Sequence, residues 1–179
     1  MSENRAGDLL SQALALIKQG RAPAAEQLLA KMCERNVEDA KAWFLRGALR
    51  AESGDTKHAI EYLSIAVRLE PENTQAHFTL CKLHYSEGNS GAATHHVEAV
   101  VARDPKHAHG WLALGSLYAD SGQFEQSERA SRVAIELLPG VAEPKINLAN
   151  ALVSQDKHDE AFALCSQLKS ESRLAPGIW

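Results

Sequence analysis

One feature restricts the fold of this chain more than any other: a pattern of residue types returns every 34 positions, through five blocks, with no insertion or deletion. It is fullest at Trp111 to Tyr118, WLALGSLY, where Trp is followed by Leu114-Gly115 and then by Tyr118. Blocks counted from Ala6, Ala40, Thr74, Ala108 and Ala142 carry a small residue at their eighth position: Ala13, Gly47, Cys81, Gly115 and Ala149. The twentieth position repeats the choice with Ala25, Ala59, Ala93, Ser127 and Ala161. Small side chains at fixed places let two helices approach closely. Position fifteen holds Gly20, Gly54, Gly88 and Gly122 before it lapses to Asp156, and position thirty-two holds Pro71, Pro105 and Pro139. Gly takes the left-handed conformation that ends a helix, and Pro cannot continue one. Each block therefore reads as helix A over its first fourteen positions, a turn at the Gly, and helix B over positions eighteen to thirty-one.

Local signals agree with this phase. Helix A of the second block, Ala40 to Ser53, ends at Gly54, after which Asp55 offers a carboxylate to cap the next helix; Gly88-Asn89 repeats the device. Asp39 and Asn73 stand where they can cap the following A helices, while Pro23 and Pro144 fall in first turns, where a missing N–H costs nothing. A unit of this length cannot bury its apolar face alone, so the blocks must pack neighbour on neighbour around a linear core.

The run WLALGSLY, the two small-residue columns and the Gly and Pro columns together resemble the tetratricopeptide repeat (TPR) family, over residues 6 to about 175. The resemblance implies an all-α α-solenoid, a right-handed superhelix of antiparallel helix pairs. It divides the chain into an extension of residues 1–5, repeats over 6–39, 40–73, 74–107, 108–141 and 142–175, and a tail of 176–179. The edge repeats depart from the pattern: Leu9 replaces Trp and Ala13 replaces Gly in the first, and Lys145 and Arg173 stand at the Trp and Pro columns of the fifth.

Composition narrows the function. A net charge of −4 without a basic cluster argues against nucleic-acid binding. No segment approaches a membrane span, and the N-terminus, which places acids before its apolar residues, does not read as a secretory signal. Cys33, Cys81 and Cys165 are too scattered for a disulfide framework, which favours a reducing cytoplasm. Six histidines, His77, His84, His95, His96, His107 and His109, cluster in and after the third repeat, but their spacing is not that of converging metal ligands. Packed or solvated histidines are the expectation. No strand-turn-helix nucleophile, no phosphate-cradling Gly loop and no catalytic constellation occurs, so neither enzyme activity nor a cofactor is expected. Charged pairs such as Glu61 with Arg68 and Glu125 with Arg132 read as solvated helix faces.

What remains is the inner groove that TPR A helices line, with positions two, five, nine, twelve and thirteen facing it. Position five is apolar throughout, Leu10, Phe44, Phe78, Leu112 and Ile146, and position twelve reads Ile17, Ala51, Tyr85, Ala119 and Val153. Position nine grades from Leu14 and Ala48 to Lys82, Ser116 and Asn150. The candidate peptide-binding residues are Leu10, Leu14, Ile17, Phe44, Phe78, Lys82, Tyr85, Leu112, Ile146 and Asn150. An apolar ladder of this kind suits an amphipathic helix or apolar peptide, although bulky residues at positions five and twelve also serve simply to cover helix A.

Two TPR binding modes fail residue by residue. The carboxylate clamp of co-chaperone TPR domains needs Lys, Asn and Arg where this chain offers Leu10, Leu14, Leu45, Gln75 and Thr79. The Asn ladder of glycosyltransferase-type arrays meets Ser11, Leu45, Thr79 and Ala113, and finds only Asn147. The expected function is a non-enzymatic module that binds a protein or peptide segment. Its rivals are an N-terminal recruiting domain of a larger sulfotransferase-, glycosyltransferase- or hydroxylase-type enzyme, and a self-assembling scaffold. Homo-oligomerisation would run through the C-terminal repeat and tail, where Phe162 and Cys165 stand at positions that meet a further repeat; the tail is expected to fold back on the fifth repeat, to insert into a neighbouring molecule's groove, or to continue into a further domain, and the first two place Trp179 in an apolar contact.

Overall fold

The computed structural model describes residues 2–174, with side chains placed from 8 to 170. Ten α-helices and no strand occur among the described residues. They group into two compact units divided after Gly88. The first unit holds α1 (Ser2–Lys18), α2 (Ala22–Arg35), α3 (Ala40–Glu52), α4 (Thr56–Leu69) and α5 (Thr74–Ser86). The second holds α6 (Ser90–Arg103), α7 (Ala108–Asp120), α8 (Phe124–Leu137), α9 (Glu143–Val153) and α10 (His158–Leu174). Within each unit every helix packs on the next, and α3 also touches α5, as α7 touches α9.

The helix ends are set by side chains and turns that recur in phase. Asp39, Asn73 and Asn89 accept the backbone N–H three residues on at 3.0–3.1 Å, and Asp55 does so at 3.4 Å. His107 stands at the corresponding cap of α7 and accepts from Gly110 N through Nδ1 at 2.9 Å, the role its neighbours in the column give to a carboxylate or amide. The turns after α1, α3, α7 and α9 all close with the same two bonds. In the second of them Gly54 N reaches Ala51 O and Asp55 N reaches Arg50 O, at 3.1 and 2.9 Å, which satisfies two orphan carbonyls of the helix end. That turn needs a positive φ, which Gly54 adopts at 78°. Asp156 keeps it without glycine, at φ 59°, with Asp156 N and Lys157 N bonded back to Val153 O and Leu152 O. The lapse of the Gly column is thus a change of residue and not of backbone.

Both small-residue columns are buried throughout. A Cβ built on Gly47 would lie 2.6 Å from Leu63 Cγ and 3.0 Å from Leu63 N, so α3 rests directly on the α4 backbone. At Gly115 the nearest atom is the Ser131 hydroxyl, 2.9 Å away, with backbone no closer than 3.6 Å. There Ser127 Oγ donates to Gly115 O at 2.8 Å, a polar version of the same contact.

The core is layered. In the first unit Leu29, Met32 and Cys33 of α2 join Ala13, Ala42 and Leu49, and a second layer gathers Leu63, Ala76 and Leu80 beneath Phe44 and Ile60. In the second unit Leu148, Leu152 and Ala161 pack with Ile135 and Leu164. Phe162, at 76 % exposure, and Cys165 lie on the uncovered side of α10. The tail with Trp179, and any docking of it, lie outside the described residues.

Two expectations follow for stability. Gly47→Ala should cost about 1–3 kcal/mol despite alanine's better helix propensity, because the α4 backbone must move. Gly115→Ala should cost less, since a hydroxyl can rotate away, whereas Gly115→Leu should be severe; urea unfolding curves that reverse this order would overturn the contacts assigned here. Asp156→Gly should be neutral or stabilising by up to about 1 kcal/mol, because it removes a left-handed non-glycine residue at the expense of unfolded-chain entropy. A clear loss of stability in that variant would mean the Asp156 side chain contributes more than its backbone strain costs.

Candidate functional site

The odd-numbered helices bury one side and leave the other open. In α5, Ala76, His77, Leu80 and Cys81 are buried, while Gln75, Phe78, Thr79, Lys82, Tyr85 and Ser86 are half-buried or exposed, a stripe stepping by three and four residues. In α3 the corresponding stripe holds Lys41, Phe44, Ala48, Ala51 and Glu52, and in α1 it holds Leu10, Leu14, Ile17 and Lys18. Leu10 and Ile17 lean on the core around Leu29, and Phe44 on that around Leu63, so each offers one edge to solvent. Leu14 and Tyr85 are more exposed, at 40 % and 50 %. The ammonium of Lys82 sits 5.5 Å from the Phe78 ring centroid.

In the second unit the open stripe of α9 is Ile146, Asn150 and Val153, with the two apolar residues about half exposed. On α7 the stripe holds Leu112, half-buried, and Ser116. Asn147 Nδ2 donates to Ser116 Oγ at 2.8 Å, tying the two helices and engaging the amide that an Asn ladder would require. The candidate residues therefore divide: Leu10, Leu14, Ile17, Phe44, Phe78, Lys82 and Tyr85 lie on the open side of the first unit, and Leu112, Ile146 and Asn150 on that of the second. Val153, outside the candidate set, is as open as Ile146 and marked only by its apolar character at position twelve.

Other sides of these helices are occupied by polar contacts. Trp43 Nε1 donates to Val37 O and Trp111 Nε1 to Pro105 O, both at 2.9 Å. In the intervening block His77 Nε2 lies 3.2 Å from Pro71 O and, protonated there, makes the same bond. This column reaches back to the loop before its own helix, and in it Trp43 and Trp111 are half-buried while His77 is buried. Arg46 lies 4.2 Å from the Tyr62 ring and 5.2 Å from that of Trp43, and it donates to Glu26 Oε1, which Arg50 also reaches at 3.1 Å. A cleft of about 370 Å³ beside this cluster is lined by Pro23, Glu26, Leu49 and Arg50 and by none of the candidate residues.

A second cluster closes the end of α9. Glu128 on α8, nearly buried, accepts from Lys157 Nζ at 2.8 Å, from Gln155 Nε2 at 2.7 Å and from Arg132, whose other nitrogen reaches Glu160 at 2.9 Å. Arg132 thus pairs within this cluster and not with Glu125. Burial alone would raise the Glu128 carboxyl, but the bonds from Lys157, Arg132 and Gln155 outweigh it and hold it at about 2. Burial pushes the Cys81 thiol up to about 11, so it stays protonated and packs as a small apolar group.

Among the described residues no three His, Cys, Asp or Glu side chains gather as metal ligands would. Of the histidines, His77 and His107 serve the backbone contacts above, and the His95 and His96 rings lie 5.4 Å apart on α6. No helix among the described residues is long and apolar enough to cross a membrane.

Three family models described as tetratricopeptide repeat match residues 10–74, 50–117 and 108–139. The chain belongs to the tetratricopeptide repeat family. Its all-α TPR solenoid fold is shared by solved structures at low identity. A MamA protein aligns with TM-score 0.83 and 18 % identity over 100 % of this chain and 98 % of its own. MamA from Desulfovibrio magneticus RS-1, from residue 41 on, aligns with TM-score 0.79 and 21 % identity over 96 % and 97 %. YrrB, described as a TPR protein with an unusual peptide-binding site, gives TM-score 0.80 and 17 % identity over 87 % of this chain and 80 % of its own. No curated protein matches the chain in sequence.

The Glu128 cluster yields a pH signature. The folded carboxyl titrates near 2 against an ordinary 4.5, so the stability it contributes is complete above pH 4.5 and is lost as pH falls toward 2. Glu128→Gln should lower stability by about 1–2 kcal/mol at neutral pH. The gap between parent and variant melting curves should close on acidification through that window. A gap that is constant from pH 7 to 2.5 would show that the carboxylate charge is not what holds the turn at Gln155 and Lys157 to α8.

Proposed function

We propose that the chain is a protein-interaction module, and not an enzyme, which takes an apolar or helical segment of a partner protein on the open faces of its odd-numbered helices. The observation that carries this reading is the placement of large apolar side chains, Leu14, Phe44, Phe78 and Tyr85 in one unit and Leu112, Ile146 and Val153 in the other, on the sides that packing within each unit leaves uncovered. A helix that needed only to cover its backbone has no use for Tyr85 or Ile146 half in water. An amphipathic partner helix meets such a face with anchors at matching three- and four-residue steps. That YrrB, which shares the fold, is described as having a peptide-binding site is consistent with this use of the scaffold.

The test is a binding comparison that spares the core. Leu14→Glu combined with Tyr85→Glu changes two of the most exposed apolar residues of the first unit, so its helical circular dichroism should match the parent. A partner segment captured by the parent and mapped by crosslinking to this face should bind the double variant at least about tenfold more weakly, since each lost anchor is worth 1 kcal/mol or more at an interface. Undiminished binding would move the site elsewhere.

A further inference from the structure

The open face of the first unit carries charge mainly of one sign. Lys18 follows Leu14 by four residues on α1, Lys41 precedes Phe44 by three on α3, and Lys82 lies between Phe78 and Tyr85 on α5. All three are exposed, none is ion-paired among the described residues, and the Lys82 ammonium rests over the Phe78 ring at 5.5 Å. Glu52, the last residue of α3, is the one carboxylate among the described residues of these stripes, and Asp8 stands a stripe away, bonded by Gln12 at 3.2 Å. The cationic excess runs against a chain whose net charge is −4. It is also absent from the corresponding stripes of the second unit, where His109, Asp120 and Glu143 are the titratable residues and no Lys or Arg occurs.

We infer that the segment seated on the first unit is acidic: an amphipathic stretch with Asp or Glu beside its apolar anchors. This rests on the reading of that face as a docking surface and adds the charge of the occupant. Lysines interleaved with apolar residues, and with no carboxylate paired to them among the described residues, gain partners from such a segment as it docks, while a basic segment meets like charge at three points. The contacts at the edge of the face are screened by salt, so they set preference and encounter rate more than total affinity.

The experiment uses the full chain and two synthetic helical peptides with identical Leu and Phe anchors, one carrying Glu and the other Lys at the polar positions, followed by fluorescence anisotropy. The parent should favour the Glu peptide by roughly three- to tenfold at low salt. The preference should shrink as salt rises, and it should invert in a Lys18→Glu, Lys41→Glu, Lys82→Glu variant, whose substitutions are all exposed. Equal binding of the two peptides, or a Glu preference that survives the triple substitution, overturns the inference. If that equal binding is still lost in Leu14→Glu with Tyr85→Glu, the apolar docking face stands and only the acidic partner falls. No binding of either peptide by the parent overturns both. Binding to phosphatidylserine–phosphatidylcholine vesicles in place of the peptides overturns the inference in favour of a lipid surface.

Discussion

Everything else within each unit depends on the approach of an odd helix to the even helix that follows it, α1 to α2, α3 to α4, α7 to α8 and α9 to α10. At Gly47 the absent Cβ leaves 2.6 Å to Leu63 Cγ, a spacing that admits no side chain at all. A pair held that close cannot rotate without a clash, which fixes the side of α3 that meets α4 and therefore the side that does not. Gly115 and Ser127 reach the same end with a hydroxyl-to-carbonyl bond, and Ala149 and Ala161, both buried, keep the two columns small in the last repeat. The contact tolerates different chemistry because what it requires is smallness.

The same distinction between a requirement and a residue recurs elsewhere. After α9 the turn requires a left-handed residue, and Asp156 supplies it as glycine does elsewhere. Ahead of α3, α5 and α7 the loop carbonyl requires an N–H reaching back, which two tryptophans and one histidine provide. At the starts of α3 to α7 the cap is an acceptor, met by Asp, Asn and the Nδ1 of His107, while α2, α8 and α9 begin without a side-chain cap bond. In the Trp column the ring is a hydrogen-bond donor as well as an apolar group, half-buried at Trp43 and Trp111 and buried at His77.

These requirements explain what was legible in the sequence. Helix ends, turns, caps and the close contacts obey local rules or the 34-residue step, so a register found once at WLALGSLY extends to the whole array. The Glu128 cluster obeys neither. Gln155 and Lys157 lie 27 and 29 residues beyond Glu128 in the turn after α9, Glu160 on α10 is reached by Arg132 from 28 residues away, and the i,i+4 relation of Glu128 to Arg132 looks no different from an ordinary solvated pair. Burial is what makes the cluster matter, and burial of a carboxylate is set by the packing of three helices together. The open face was legible only as a set of positions: which apolar residues lean on the core, as Leu10 and Phe44 do, and which stand about half in water, as Leu14 and Tyr85 do, depends on the neighbours each helix finds.

The division between buried columns and open stripes also explains why a fold of this kind is easier to identify than its ligand. The columns hold the helices together and restrict their residues to a few sizes and donors, so they leave a strong trace in the sequence. The open stripes contribute little to that packing, as the exposed Lys41, Lys82 and Asn150 show, and a change there alters the surface without altering the scaffold. Residues free of packing constraints can follow whatever meets them. An imbalance of charge on such a stripe, in a chain whose overall charge is of the other sign, is therefore better explained by what contacts the face than by what holds it up.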